Sequence, residues 1–212
     1  MDFDGSGRLS LLSGSNCCDS LGFHLFRRLE NGAWAPRQRL EFSNAGKIKL
    51  PALFAESFVT AADWNGDGVP DLLLSGNKGK GIVVALGPFK DKEPIALSHE
   101  IDIDRERNGP AQDFAVADWD RDGKPDLLVR HGHWNQQQGI YWYKNLGGPG
   151  MTKLAEGKLL VEIPADVHVQ GFCIGDWNGD GWPDLIATRE VRLPETDGLG
   201  RWQETVWLYR RE

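Results

Sequence analysis

Residues 62–73 read Ala-Asp-Trp-Asn-Gly-Asp-Gly-Val-Pro-Asp-Leu-Leu. Residues 117–128 read Ala-Asp-Trp-Asp-Arg-Asp-Gly-Lys-Pro-Asp-Leu-Leu, and residues 175–186 read Gly-Asp-Trp-Asn-Gly-Asp-Gly-Trp-Pro-Asp-Leu-Ile. A weaker copy, Met1-Asp2-Phe3-Asp4-Gly5-Ser6-Gly7-Arg8-Leu9-Ser10-Leu11-Leu12, stands at the start. Their first aspartates are Asp2, Asp63, Asp118 and Asp176, at spacings of 61, 55 and 58 residues. Self-similarity at a near-constant period marks a repeat architecture and has to be read before any single element.

The flanks show what repeats. Before each full copy lies a run of small and apolar residues, at 57–61, 113–117 and 171–175; after it comes an apolar run, at 72–74, 127–129 and 185–187. A third run follows a polar turn, at 82–86, 140–143 and 206–209, and a fourth is visible at 96–101 and 158–163. The runs are short, rich in β-branched and aromatic residues and bounded by Gly, Pro, Asn and Asp, which are strand signals; no stretch sustains a helical period. Each unit of about 58 residues is therefore expected to be a four-stranded antiparallel sheet. Such a sheet cannot bury both faces alone, and stacking around an axis gives a β-propeller. The expectation is an all-β chain forming one propeller region, with about four blades at 1–50, 51–105, 106–165 and 166–212. A β-sandwich is the weaker alternative, because it does not require identical loops at equal intervals.

Counted from the first aspartate, loop positions 1, 3 and 5 are Asp63, Asn65 and Asp67; Asp118, Asp120 and Asp122; and Asp176, Asn178 and Asp180. Position 6 is Gly68, Gly123 or Gly181, and position 9 is Asp71, Asp126 or Asp184. Hard oxygen donors at alternating positions, with a glycine for the sharp turn, suit a calcium ion. Position 7 (Val69, Lys124, Trp182) is free to vary if it donates only its backbone carbonyl. An EF-hand is excluded: position 12 is Leu74, Val129 or Ala187 where that loop needs a glutamate, and the flanks are strands. In the weak copy Asp2, Asp4 and Ser6 stand at positions 1, 3 and 5, but Ser10 replaces the position-9 aspartate. Three calcium ions are expected, with the weak copy as a fourth site. The position-2 aromatic (Phe3, Trp64, Trp119, Trp177) alternates with the ligands and is expected to pack between blades.

Charge agrees. The net charge is −7, yet the four loops hold twelve aspartates, so the rest of the chain is net positive. Four carboxylates within residues 118–126 repel one another unless a cation neutralises them. An acidic balance argues against a general nucleic-acid binder. Apolar residues are 40% and charged residues 26%, ordinary for a globular protein, and no run reaches the roughly 20 apolar residues of a membrane helix. Cys17, Cys18 and Cys173 have neither zinc spacing nor the pattern of a disulfide framework.

The pattern Asp-x-Asp/Asn-x-Asp-Gly-x-x-Asp-Leu after a Phe-small-apolar strand resembles the FG-GAP/VCBS repeat, the calcium-binding propeller blade of integrin α-chains and many secreted bacterial proteins. The resemblance implies that the loop joins the first and second strands of each blade. It also implies that calcium is held by Asp63, Asn65, Asp67 and Asp71, by Asp118, Asp120, Asp122 and Asp126, and by Asp176, Asn178, Asp180 and Asp184. Propellers of this family commonly have more blades, so the strand count (three, four, four, three) is read as a piece of a larger propeller.

Loops on the side opposite the calcium loops are the expected partner surface. Residues 130–138 carry His131, His133 and Trp134, and residues 189–203 carry Trp202; aromatic rings with amides suit sugar stacking and hydrogen bonding. No nucleophile elbow, zinc-protease helix or phosphate loop occurs. The function expected is a non-catalytic, calcium-binding extracellular, periplasmic or cell-surface module for a carbohydrate or protein. The alternatives are a carbohydrate-active enzyme of lyase or dehydratase type, with His24, His131, His133 and His168 as candidate bases, and a structural surface repeat.

Overall fold

The computed structural model describes residues 1–3, 5–14, 22–43, 57–76, 81–103, 111–132, 138–148, 151–164, 166–192 and 202–210. Four antiparallel sheets follow one another along the chain. The first has strands β1 (Leu11–Gly14), β2 (Phe23–Phe26) and β3 (Gln38–Arg39), in that spatial order. A two-residue strand, β4 (Phe42–Ser43), lies outside it. The second sheet contains β5 (Ser57–Ala62), β6 (Asp71–Gly76), β7 (Gly81–Ala85) and β9 (His99–Asp102), with β8 (Ile95–Ala96) pairing parallel to β4. The third contains β10 (Ala111–Ala117), β11 (Asp126–His131), β12 (Gln138–Tyr143) and β15 (Lys158–Ile163), with a small side hairpin of β13 (Asn145–Gly147) and β14 (Lys153–Leu154). The fourth contains β16 (Val167–Gly175), β17 (Asp184–Arg192) and β18 (Trp202–Tyr209).

Each sheet runs in simple up-and-down order, because short turns join antiparallel neighbours. The first strands β5, β10 and β16 are neighbours in space, so the sheets stack about a common axis with their first strands innermost. This is the blade arrangement of a β-propeller. Among the described residues no helix is long and apolar enough to cross a membrane.

The core lies between sheets, not within one, and strand alternation explains how. Successive side chains point to opposite faces. Leu72 and Leu74 pack against Phe23, Leu25 and Leu40 of the first sheet, while Leu73 between them packs with Leu127 and Val129 of the third. One register further on, Leu128 packs with Val167, Leu185 and Ala187 of the fourth. An unbroken apolar run such as Leu72-Leu73-Leu74 is what a strand buried on both faces requires. The position-2 aromatics extend these junctions. Phe3, Trp64 and Trp119 sit in successive inter-sheet clusters, with Trp64 wholly buried and Trp119 8% exposed. Trp177 departs from the expectation that all four pack between blades: it is 66% exposed. Among the described residues no sheet covers its side of the fourth sheet.

The candidate metal loops and the cleft beside them

Each full loop joins the first and second strands of its sheet, so the three lie at one end of the stack. Their backbone is the same. Positions 4 and 6 are left-handed: Gly66 and Gly68 at φ 76° and 84°, Arg121 and Gly123 at 61° and 85°, Gly179 and Gly181 at 77° and 83°. Glycine takes this conformation at no steric cost; Arg121 takes it with a side chain, which lies over the Trp182 ring of the next loop, 4.8 Å from its centroid. The weak first copy has the same turn, with Gly5 and Gly7 at 71° and 78°.

The position-1 carboxylate holds the turn. Asp63 accepts the N–H groups of Asp67 (3.0 Å) and Gly68 (2.9 Å). Asp118 accepts those of Asp122 and Gly123, and Asp176 those of Asp180 and Gly181. In the first copy Gly7 N–H donates to Asp2 at 2.8 Å. The position-5 carboxylate accepts the N–H of position 7, from Val69, Lys124 or Trp182. That bond takes only the backbone N–H from position 7, which is why three dissimilar side chains fit there.

The position-9 aspartates have a further part that no local spacing shows. Asp71, Asp126 and Asp184 are fully buried. Each accepts the backbone N–H of the position-2 tryptophan, at 2.9, 3.2 and 3.1 Å. Asp71 also accepts Gly87 N–H, and Asp126 accepts Asn145 N–H at 2.7 Å and the Trp142 indole N–H at 2.9 Å. Asp71 and Asp126 thus tie the loop and the second strand to the end of the third strand. Burial pushes the Asp71 and Asp126 carboxyls up, against the N–H donors that stabilise their charge.

The third loop has the densest donor set. Oxygens of Asp118, Asp120 and Asp126 lie within 4.8 Å of one another, and Asp120 Oδ1 is buried without a hydrogen-bond partner. An unsatisfied inward carboxylate oxygen among carboxylates fits a hard cation. Repulsion alone does not demand one here, because the chain supplies its own charge. Lys144 Nζ donates to Asp120 Oδ2 and, at 2.8 Å, to Asp122 Oδ2, which Lys124 also approaches at 3.1 Å. The Lys144 ammonium holds the Asp122 carboxyl down at about 2, and the pair raises Lys144 in turn. Arg210 stands at the matching register of the fourth sheet; Asp180 there is lowered chiefly by the Trp182 N–H, with Arg121 and Arg210 adding to it. The second loop has Leu86 at this place and Asn65 where the third has Asp120.

Of the other residues singled out in the sequence, Asp4, His133 and Trp134 fall outside the described residues, as does the side chain of Trp202, which opens β18. His131 is not on a loop. It ends β11, is fully buried and shares a 2.7 Å hydrogen bond with the Tyr143 hydroxyl, which donates to the Ile103 carbonyl. His131 therefore belongs to the packing of the second and third sheets and offers no surface.

Sequence reading missed a cleft at the loop end, between the third and fourth sheets. It encloses about 340 Å³ and is lined by Trp119, Trp142, Tyr209, Lys158 and Arg210 over a floor of Val161 and Leu185. The signal was present in the aromatic ends of the third strands, Trp142 and Tyr209. They were read only as strand formers, because nothing local says that consecutive sheets splay apart there.

Stacked sheets, each entered through an aspartate-glycine loop, define a β-propeller of loop-bearing blades. The FG-GAP-like repeat matches residues 2–74 and 118–187, about two thirds of the sequence, and the chain belongs to this family. Comparison with curated proteins returns no match. Among solved structures, an Agrocybe aegerita lectin described as recognising non-reducing terminal N-acetylglucosamine is similar at 18% identity and a TM-score of 0.49. The match covers 99% of this chain and 56% of the lectin, so the chain spans about half that protein's length.

Proposed function

We propose that the chain is a calcium-stabilised, non-catalytic binding module working outside the cell, and that its ligand is a saccharide seated in the cleft between the third and fourth sheets. The cleft carries the reading. Its volume of about 340 Å³ falls within the range of small-molecule sites. Trp142 and Tyr209 offer flat apolar faces to sugar C–H groups, and Lys158 and Arg210 offer donors to its oxygens.

Calcium is held, in this reading, by Asp63, Asn65, Asp67 and Asp71 with the Val69 carbonyl; by Asp118, Asp120, Asp122 and Asp126 with the Lys124 carbonyl; and by Asp176, Asn178, Asp180 and Asp184 with the Trp182 carbonyl. Asp2 and Ser6 with Asp4 form the fourth, weaker set. The unsatisfied Asp120 oxygen and the three clustered carboxylates support this. Extracellular modules bind calcium with constants of about 10⁻⁴–10⁻³ M, a concentration found outside the cell and not in cytosol. Ion and cleft are linked through Asp126, which lies in the third loop's donor set and also accepts the N–H groups of Trp119 and Trp142 in the cleft wall.

Calorimetric titration with a panel of neutral and acidic oligosaccharides, in calcium and in chelator, tests the reading. Binding in calcium that Trp142→Ala abolishes and chelator weakens is the expected result. Calcium-saturated protein that binds no saccharide, or binding indifferent to Trp142→Ala, overturns the cleft assignment.

A further inference from the structure

Loop positions 3 and 5 are bridged in all three full copies, but not by the same group. In the second loop the Asn65 amide does it: Nδ2 donates to Asp67 Oδ2 at 2.9 Å, while Asn65 Oδ1 accepts the Asp67 backbone N–H at 2.9 Å. Asn178 and Asp180 repeat both bonds in the fourth loop, at 2.7 and 2.9 Å. Position 3 of the third loop is Asp120, and an ionised carboxylate has no hydrogen to donate. Lys144, 24 residues further on, supplies the bridge: its Nζ donates to Asp120 Oδ2 and, at 2.8 Å, to Asp122 Oδ2. Lys124 also approaches Asp122, but only Lys144 reaches both positions. The second loop has Leu86 at this place.

The exchange of an amide for a carboxylate and an ammonium has two opposite effects on a cation. Lys144 engages the Oδ2 atoms, which leaves Asp120 Oδ1 buried without a hydrogen-bond partner, in a residue whose carboxylate belongs with those of Asp118 and Asp126. That orphaned oxygen and its neighbours suit calcium, and an added carboxylate strengthens such a site because affinity follows ligand charge. The ammonium on the same two carboxylates opposes the ion by like-charge repulsion. The loop concerned is also the one joined to the cleft wall, because Asp126 accepts the Trp142 indole N–H.

We propose that Lys144 is a resident counter-cation that sets the calcium affinity of the third loop, holding Asp120 and Asp122 in place while weakening the loop's grip on the ion below what its four carboxylates would give. The inference rests on the calcium reading of the loops and adds a tuning residue to it. Asp120 and Lys144 together do what a single asparagine does in the second and fourth loops, and they do it with charges, so the third loop's affinity is adjusted by a side chain outside the loop. The second loop, with Leu86 at the equivalent place, has no such control.

Calcium titration of the full chain, followed residue by residue in amide nitrogen–proton correlation spectra, tests this. The amides of Gly68, Gly123 and Gly181 are the reporters, since each is bonded to the position-1 carboxylate of its own loop. In Lys144→Met the Gly123 midpoint should fall about tenfold in calcium concentration, because a divalent ion loses one neighbouring positive charge even in a water-like dielectric; the Gly68 midpoint should stay at the parent value. Lys144→Gln keeps a hydrogen-bond donor without the charge and should show the same fall, whereas Lys144→Arg should hold the parent midpoint. Asp120→Asn added to Lys144→Met rebuilds the second loop's arrangement and should bring the Gly123 midpoint back up. A Gly123 midpoint that is unmoved or raised in Lys144→Met, while Gly68 still responds to calcium, overturns the proposal and leaves the calcium reading standing. Silence of all three amides up to millimolar calcium overturns that reading and the proposal with it. Lys144→Gln carries the same outcomes should Lys144→Met lose the dispersed parent spectrum.

Discussion

Asp126 and Lys144 show how much one residue can hold here. Asp126 is fully buried and receives three N–H groups, from Trp119, Trp142 and Asn145. Asn at this position loses the charge and turns an amide donor toward other donors. Hydrogen bonds to a charged group are worth about 1.5–3 kcal/mol, so Asp126→Asn should lower the unfolding free energy by about that much in chelator, as read by urea titration. Lys144 acts through charge. Its ammonium depresses the Asp122 carboxyl to about 2, so the folded state holds the charged form more strongly than the unfolded chain. The resulting stability is present above the unfolded pKa of about 4 and is lost as pH falls toward 2. Lys144→Met should therefore be less stable than the parent at neutral pH, and the two should converge in acid; parallel curves down to pH 2 would contradict the pairing. Neither role was legible in sequence. The aspartates were, because their spacing is local. Their partners lie up to 24 residues away, just past the end of the third strand, and only strand register brings them back to the loop.

At the scale of elements, the tryptophan at loop position 2 provides an internal control. Trp64 and Trp177 occupy equivalent places, one fully buried and one mostly exposed. Truncation of a buried tryptophan costs about 3–5 kcal/mol, whereas exposed substitutions usually stay within about 0.5 kcal/mol. Trp64→Ala should approach the first figure and Trp177→Ala the second, in denaturant titrations. Equal costs would contradict the placement of sheet junctions. The main strands were legible because both-face burial leaves continuous apolar runs, as at Leu72–Leu74 and Leu127–Val129. The small strands β3, β4, β8, β13 and β14 were not, since two or three residues carry no period to read. The equivalence of Trp177 to its repeats was legible but its exposure was not, because burial depends on which sheets pack against it and not on its neighbours in sequence.

Across the whole molecule, the stack places its aspartate-glycine loops at one end and a cleft lined by aromatic and basic side chains among them. The sequence directed attention to the other end, to the segment around His131. The structure draws that histidine into the packing against Tyr143, for a buried histidine and a loop histidine look alike when only neighbours in sequence are known. The family's loop pattern was fully legible, and with it the number and order of sheets, because carboxylates and glycines at fixed offsets are strictly local demands. We propose that the stack rests on the clamping of a divalent ion at each of these loops. Scanning calorimetry of the parent chain in excess calcium and in excess chelator measures that most directly. An ion at a hundredfold excess over its dissociation constant adds about 2.7 kcal/mol per site to the folded state, so the account predicts a melting transition that moves up by several degrees in calcium and falls back in chelator. Superimposable transitions in the two buffers would contradict it.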